Sequence, residues 1–302
     1  MNQHLELIRR SYLPSQPSAN QAESATKSQQ RNGFLDKHAN REMKRLKNYS
    51  DTTNLETTTK APIMENSVHF NLQGKGGIGK TYTSALLAQW IEEVAPGTIE
   101  GFDADQENAS FFAYKGLSVK PIDVMRKDRT IDRKMFDQML LEIFESRTNI
   151  VVDTGANTFS PLMSYLMEND FLTMLMQSGK KVYIHTIVGG GDNLRDTTAG
   201  FVSLARQTTC PMILWLNENS AWGDTGNFIE SETFEKHADN VKGVVLLQGR
   251  TSDTFGDDIR RMNKERLTLR EIMGNPKFNM LERSRLNTVV RDIFNKLDKV
   301  DW

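Results

Sequence analysis

The chain has 302 residues, enough for two average domains or for one α/β domain with an appendage. Its 38 Lys+Arg stand against 39 Asp+Glu, a balance that excludes both a uniform polycation and an acidic solvating chain. One cysteine, Cys210, excludes an intrachain disulfide framework, and no apolar run approaches the ~20 residues of a membrane-spanning helix. The opening MNQHLELIRRSYLPSQPSAN lacks the apolar core of a secretory signal, so the expected compartment is the cytoplasm.

The balance hides an asymmetry. Residues 1–62 carry 10 Lys+Arg and 6 Asp+Glu, and residues 63–302 carry 28 and 33. The first stretch is rich in Ser, Asn, Gln and Thr and has few aliphatic side chains to offset the entropy of ordering a backbone. It reads as a polar, basic, largely disordered tail, with one short basic helix over residues 34–49 that forms against a partner. The folded domain is expected over 63–302.

From Ser67 the texture changes. SVHFNLQ (67–73) is a strand running into a glycine-rich turn, and TYTSALLAQWIEEV after it is a helix. TIEGFDAD is a short strand, MFDQMLLEIF a helix, and NIVVDTG (149–155) an apolar strand closing on Asp153. Met163, Met167, Met174 and Met176 fall in a helical stretch and read as core filler. KVYIHTIV, CPMILWLN and VKGVVLLQG are three further buried strands, with His185 packed inside the first and Gly189-Gly190-Gly191 a flexible turn after it. The last helix places Leu286, Val289, Val290, Ile293, Phe294 and Leu297 on one face, which is expected to dock on the core, since its polar face is of mixed charge where a membrane-binding face would be cationic. Strand and helix in alternation predict a doubly wound, mostly parallel α/β sheet.

Gly74-Lys75-Gly76-Gly77-Ile78-Gly79-Lys80-Thr81 fits G-x-x-x-x-G-K-[ST], directly after a strand and before a helix. Glycines let successive N–H groups turn inward around phosphate oxygens at a helix N-terminus. Lys80 then reaches the β/γ-phosphates and the Thr81 hydroxyl ligates Mg²⁺. Carboxylates for the metal are sought at the carboxyl ends of strands: Asp153 for magnesium, and the alternating pair Asp103 and Asp105. Asn217 also closes a strand, either as a turn cap or as an amide that pairs with a base edge.

The second lysine of the loop, Lys75, is either a solvated charge or something more specific. K-G-G-x-G-K-T resembles the deviant Walker A loop of the ParA/MinD group of P-loop ATPases. That resemblance implies that Lys75 crosses a dimer interface to the partner's nucleotide. It also implies that Asp105 orients the attacking water, that Asp103 serves the magnesium shell or its own loop, and that Asn217 reads the base of ATP. Gln106 stands where the group has proline, so the geometry of that switch differs here. The segments HFNLQGKGGIGKT, FDADQENASFFAYKGLSV, VVDTGANTFSPLMSYL, IHTIVGGGDNLRDTTAGF and ILWLNENSAWG resemble the TraL family of conjugal-transfer proteins, over most of 67–225 and more loosely through TFGDDIRRMNKERLTL.

The resemblance implies an ATP- and Mg²⁺-dependent homodimerisation switch, a slow ATPase of conjugal transfer. Its partners are then the transfer machinery or plasmid DNA, reached by the basic tail or by residues 260–266. The alternatives are a partitioning-type ATPase and a nucleotide-binding scaffold without hydrolysis. A metabolic synthetase on the same fold needs no Lys75, and an iron–sulfur carrier needs paired cysteines that Cys210 does not supply.

Overall fold

The computed structural model describes residues 3–12, 64–105, 107–126, 128, 130–219 and 223–302, so the basic helix expected at 34–49 lies outside the described residues. Seven parallel strands form one sheet: β1 Ser67–Asn71, β2 Ile99–Asp103, β3 Val119–Pro121, β4 Asn149–Asp153, β5 Lys181–Gly189, β6 Met212–Asn217 and β7 Val241–Leu247. Their order is β3-β2-β4-β1-β5-β6-β7. From β1 the chain runs out to β2 and the edge strand β3, returns to lay β4 between β2 and β1, and then adds β5, β6 and β7 on the other side, which puts β1 and its loop at the switch point.

Strand residues alternate between two buried faces. Val68, Phe70, Val152, Ile184 and Leu214 join one apolar cluster, while Val151, Tyr183, Ile187, Ile213 and Trp215 join the other. Each face is covered by helices, which is why the strands read as continuous apolar runs. The helices are α1 Gln3–Tyr12, α2 Lys80–Val94, α3 Phe136–Glu145, α4 Ala156–Glu168, α5 Phe171–Gln177, α6 Leu194–Gln207, α7 Glu232–Glu235, α8 Phe255–Glu265, α9 Leu269–Gly274 and α10 Met280–Leu297. As expected, α10 docks on the core: the six apolar residues of its face are buried and it packs on α2, α8, α9 and β7. Among the described residues no helix is long and apolar enough to cross a membrane.

Three expectations are corrected. Residues 3–12 are not part of an unstructured tail: α1 packs on β7, buries Leu5 and Ile8, and Arg9 Nε donates to the Ile229 carbonyl at 3.3 Å. Leu5 and Ile8, three positions apart, share a helix face that meets the sheet. Of the four methionines read as filler, Met163 is buried but Met167, Met174 and Met176 are exposed. The sequence reading also contained no strand at 119–121, which forms the three-residue edge strand β3.

His185 packs inside β5 as expected, within a buried hydrogen-bond chain. Trp215 Nε1 donates to His185 Nδ1 at 3.0 Å, and His185 Nε2 lies 2.9 Å from His69 Nδ1. His69 Nε2 lies 2.9 Å from Ser67 Oγ, which donates to Asn149 Oδ1 at 2.8 Å. Because the indole N–H is only a donor, every proton position follows, and both imidazoles are neutral. Burial holds His185 down to about 3, and burial followed by the proximity of His185 holds His69 well below its ordinary value. An unfolded histidine takes up a proton below ~6.5 and the folded one does not, so stability falls as the pH drops from 6.5 toward 3. His185→Gln keeps an acceptor for Trp215 and a donor for His69 but binds no proton. Urea unfolding at pH 7.5, 6 and 5 is expected to show the wild type losing about 2 kcal/mol relative to this variant by pH 5; parallel losses would refute the neutral pair.

Candidate nucleotide-binding site

The loop Gly74–Thr81 leaves β1 and enters the N-terminus of α2. Gly79 caps that helix in the left-handed region, at φ +100°, and a Cβ there would lie 2.9 Å from Asn217 Nδ2. Glycine is required on both counts. Two polar side chains that sequence reasoning passed over fix the loop's base. Buried Asn71 donates from Nδ2 to the Lys80 carbonyl at 2.9 Å and to the Thr83 and Ser84 hydroxyls at 2.8 Å. Gln73 donates to the Ile187 carbonyl at 2.8 Å and accepts the Lys75 N–H at 3.3 Å, tying the loop to β5. Their one sequence signal is an amide in an otherwise apolar strand and strand end.

Strand register brings the carboxylates together. Asp153 on β4 is paired with Asp103 on β2 and with Asn71 on β1, in one row at the carboxyl edge. Asp153 is fully buried; its Oδ2 accepts the Thr81 hydroxyl at 2.7 Å and its Oδ1 the Ser84 hydroxyl at 2.8 Å. Burial pushes its carboxyl up to about 7, against the pull of those two hydroxyls. Lys80 is buried as well, and its Nζ donates to the Lys75 carbonyl at 2.9 Å across the loop. Burial lowers its pKa, while Asp153 and Asp105 favour the charged form.

Asp103 and Asp105 part company. Asp103 Oδ1 accepts the Asp105 N–H at 2.9 Å, and Oδ2 accepts the N–H groups of Phe111 and Phe112 at 2.8 and 2.9 Å. Of the two roles expected for it, the geometry favours organising its own loop. Asp105 is half-buried beside Gly155, where a Cβ would sit 2.9 Å from its carboxyl carbon, and it accepts from the Asn108 backbone at 3.3 Å. Thr81 and Asp153 together form a pair of hard oxygen donors of the kind Mg²⁺ takes. Among the described residues no group of three or more His, Cys, Asp or Glu is placed to hold a metal. A magnesium ion held by Thr81 and Asp153 would need further ligands from outside these two residues.

Beside Gly77 and Gly79 opens a cleft of about 390 Å³, within the range of small-molecule sites. Leu247, Ile259, Val289 and Ile293 line it with apolar surface, and Asn217, Gln248 and Asn263 add amides. Asn217 donates to the Ile78 carbonyl at 2.9 Å, so it clamps the loop while lining the cleft. Gly189 and Gly190 are not a flexible turn: both are buried, Gly189 lies against the Ile78 side chain, and the Gly190 N–H donates to the Asn217 carbonyl at 3.1 Å.

Lys75 is engaged differently from Lys80. Its Nζ pairs with Asp196 Oδ2 of α6 at 2.9 Å, both side chains being well exposed. The basic run 260–266 is largely spoken for. Arg260 pairs with Asp257, Arg261 with Glu265 and Glu282 while lying over Phe278, and Arg266 donates to Ser110. A solvated helix face stitched to its surroundings describes it better than a phosphate-binding patch.

A glycine loop seated at the switch point of a doubly wound sheet, closing on Lys80 and Thr81 beside a strand-end aspartate, defines the P-loop nucleoside-triphosphatase fold class. No protein-family model matches the chain. Two curated relatives, both described as Protein TraL and both from Escherichia coli, are 32% and 30% identical to it over 237 residues, 76% of this chain and 97% of each relative. The chain belongs to the TraL family. Solved structures with a likeness to it include MinD cell division protein from Aquifex aeolicus, at 14% identity and TM-score 0.42, over 76% of this chain and 94% of that one. A ParA family ATPase from Chlorobium tepidum is similar at 12% identity and TM-score 0.43, over 74% of this chain and 98% of that one. The fold assignment rests on strand order and loop.

The Gly79 geometry is directly testable. Gly79→Ala is expected to lower stability by about 1–3 kcal/mol, from backbone strain and the displaced Asn217 amide, and to weaken retention on an ATP resin at least tenfold. Urea melts and resin binding together check this; a variant with unchanged stability would contradict the close approach.

Proposed function

We propose that the chain is a nucleotide-dependent dimerisation switch that hydrolyses ATP slowly and acts in plasmid conjugal transfer. The observation that carries this reading is the opposite disposition of the two loop lysines. Lys80 is buried and spans its own loop, whereas Lys75 stands at the surface with its ammonium on Asp196. A single nucleotide site is already served by the loop amides and Lys80. The outward lysine suits a phosphate group presented by another copy of the chain, where it stabilises transferring charge as an arginine finger does. Membership of the TraL family supports the setting in conjugal transfer.

In this reading the loop amides and Lys80 hold the triphosphate, and Asn217 and the cleft hold the nucleoside. Thr81 and Asp153 would hold magnesium, which would supply charge neutralisation at the phosphates. Asp153, raised to about 7 when no cation faces it, then stays ionised. The Asp105 backbone N–H is one of the three groups held by Asp103, and the Asp105 carboxylate, which accepts from Asn108 at the surface, is the one assigned to orient water. The Lys75–Asp196 pair is exposed, hence weak and screened, and gives way when a triphosphate offers the ammonium a better partner. Binding free energy thereby selects the paired state, and hydrolysis releases it.

Light scattering with ATP, with ADP and without nucleotide tests the reading. The wild type is expected to double its mass with ATP alone, Lys75→Ala to remain monomeric with phosphate release reduced at least tenfold, and Asp196→Ala to pair at lower ATP. One mass under all conditions would sink the switch.

A further inference from the structure

Asn263 of the cleft wall also touches the segment that follows Asp105. Tyr114 is buried, and its hydroxyl donates to Asn263 Oδ1 of α8 at 3.3 Å. Arg266, just past the end of α8, lies 5.8 Å from the centroid of the same ring. The phenol has one proton, and it goes to the Asn263 oxygen. That polarity turns the Asn263 oxygen toward Tyr114 and leaves the two amide donors of Asn263, a residue of the cleft wall, without a claim from this network.

The path continues inward. The Tyr114 N–H donates to the Phe111 carbonyl at 3.1 Å, and the N–H groups of Phe111 and Phe112 go to Asp103 Oδ2. The other oxygen of Asp103 takes the Asp105 N–H. Arg266 adds a second tie by donating to Ser110 Oγ at 3.2 Å. From the cleft to Asp105, each link is a hydrogen bond or a short run of backbone.

We propose that Tyr114 is a positioning residue that couples occupation of the cleft to the placement of Asp105, with Asn263 offering its amide donors to an acceptor atom of the bound nucleoside. This rests on the reading of the loop and cleft as an ATP site. Asn263 serves both ends of the coupling and Tyr114 only one, so the two residues differ in what they control.

The test uses the full chain with ATP and Mg²⁺, a fluorescent ATP analogue, phosphate release, and amide exchange over residues 108–117. Tyr114→Phe removes only the hydroxyl. It is expected to bind the analogue within about twofold of wild type, to lower kcat about tenfold, and to speed exchange in 108–117 with or without nucleotide. Asn263→Ala is expected to lower kcat similarly and also to weaken binding about tenfold. A merely structural tyrosine would change stability and leave this split unmoved. The proposal is overturned if Tyr114→Phe keeps its kcat, if it weakens binding as much as Asn263→Ala, or if exchange in 108–117 is unchanged. A wild type that binds no analogue overturns the ATP reading along with it, whereas a wild type that binds and hydrolyses while Tyr114→Phe behaves identically overturns this proposal alone.

Discussion

A carboxylate sealed away from water sets the terms for the whole site. Asp153 sits at 0% exposure with both oxygens satisfied by hydroxyls of the helix that follows the loop. Burying such a group is costly unless it is paired, and here the pairing also decides where the helix begins. The Thr81 and Ser84 bonds draw α2 against β4, and the Asn71 amide holds the same turn from β1. The loop between them has little freedom left. Its shape is set by the strand ends on either side.

The same edge shows how one sheet separates roles among similar groups. Asp103 and Asp153 are register partners one strand apart, yet one is consumed by three backbone N–H groups and the other by two hydroxyls. Lys75 and Lys80 are five positions apart on one loop, yet one is exposed and the other buried. Neighbouring packing, rather than residue type, assigns each its task.

Much of the fold was legible because parallel strands covered on both faces tend to be apolar runs; six of the seven strands were expected, most of them on that signal. The loop was legible because its glycines, lysine and threonine lie within eight residues. What escaped notice has physical reasons. Strand β3 is three residues long and includes Lys120 and Pro121, so it carries no apolar run. Among the described side chains of helix α1, Leu5 and Ile8 reach the core, a pattern too brief to separate from a polar tail. The methionines of α4 and α5 are apolar by type, but type alone does not say which face meets solvent. The contact between Tyr114 and Asn263 spans 149 positions, and nothing local to either residue signals it.

The brevity of β3 has an effect of its own. It closes one margin of the sheet with a proline at its last position and with Lys120 exposed beside it. Such a margin offers an incoming polypeptide few free backbone groups and a desolvation penalty besides. At that border the protein is guarded against the edge-to-edge stacking that turns exposed strands into fibrous aggregates.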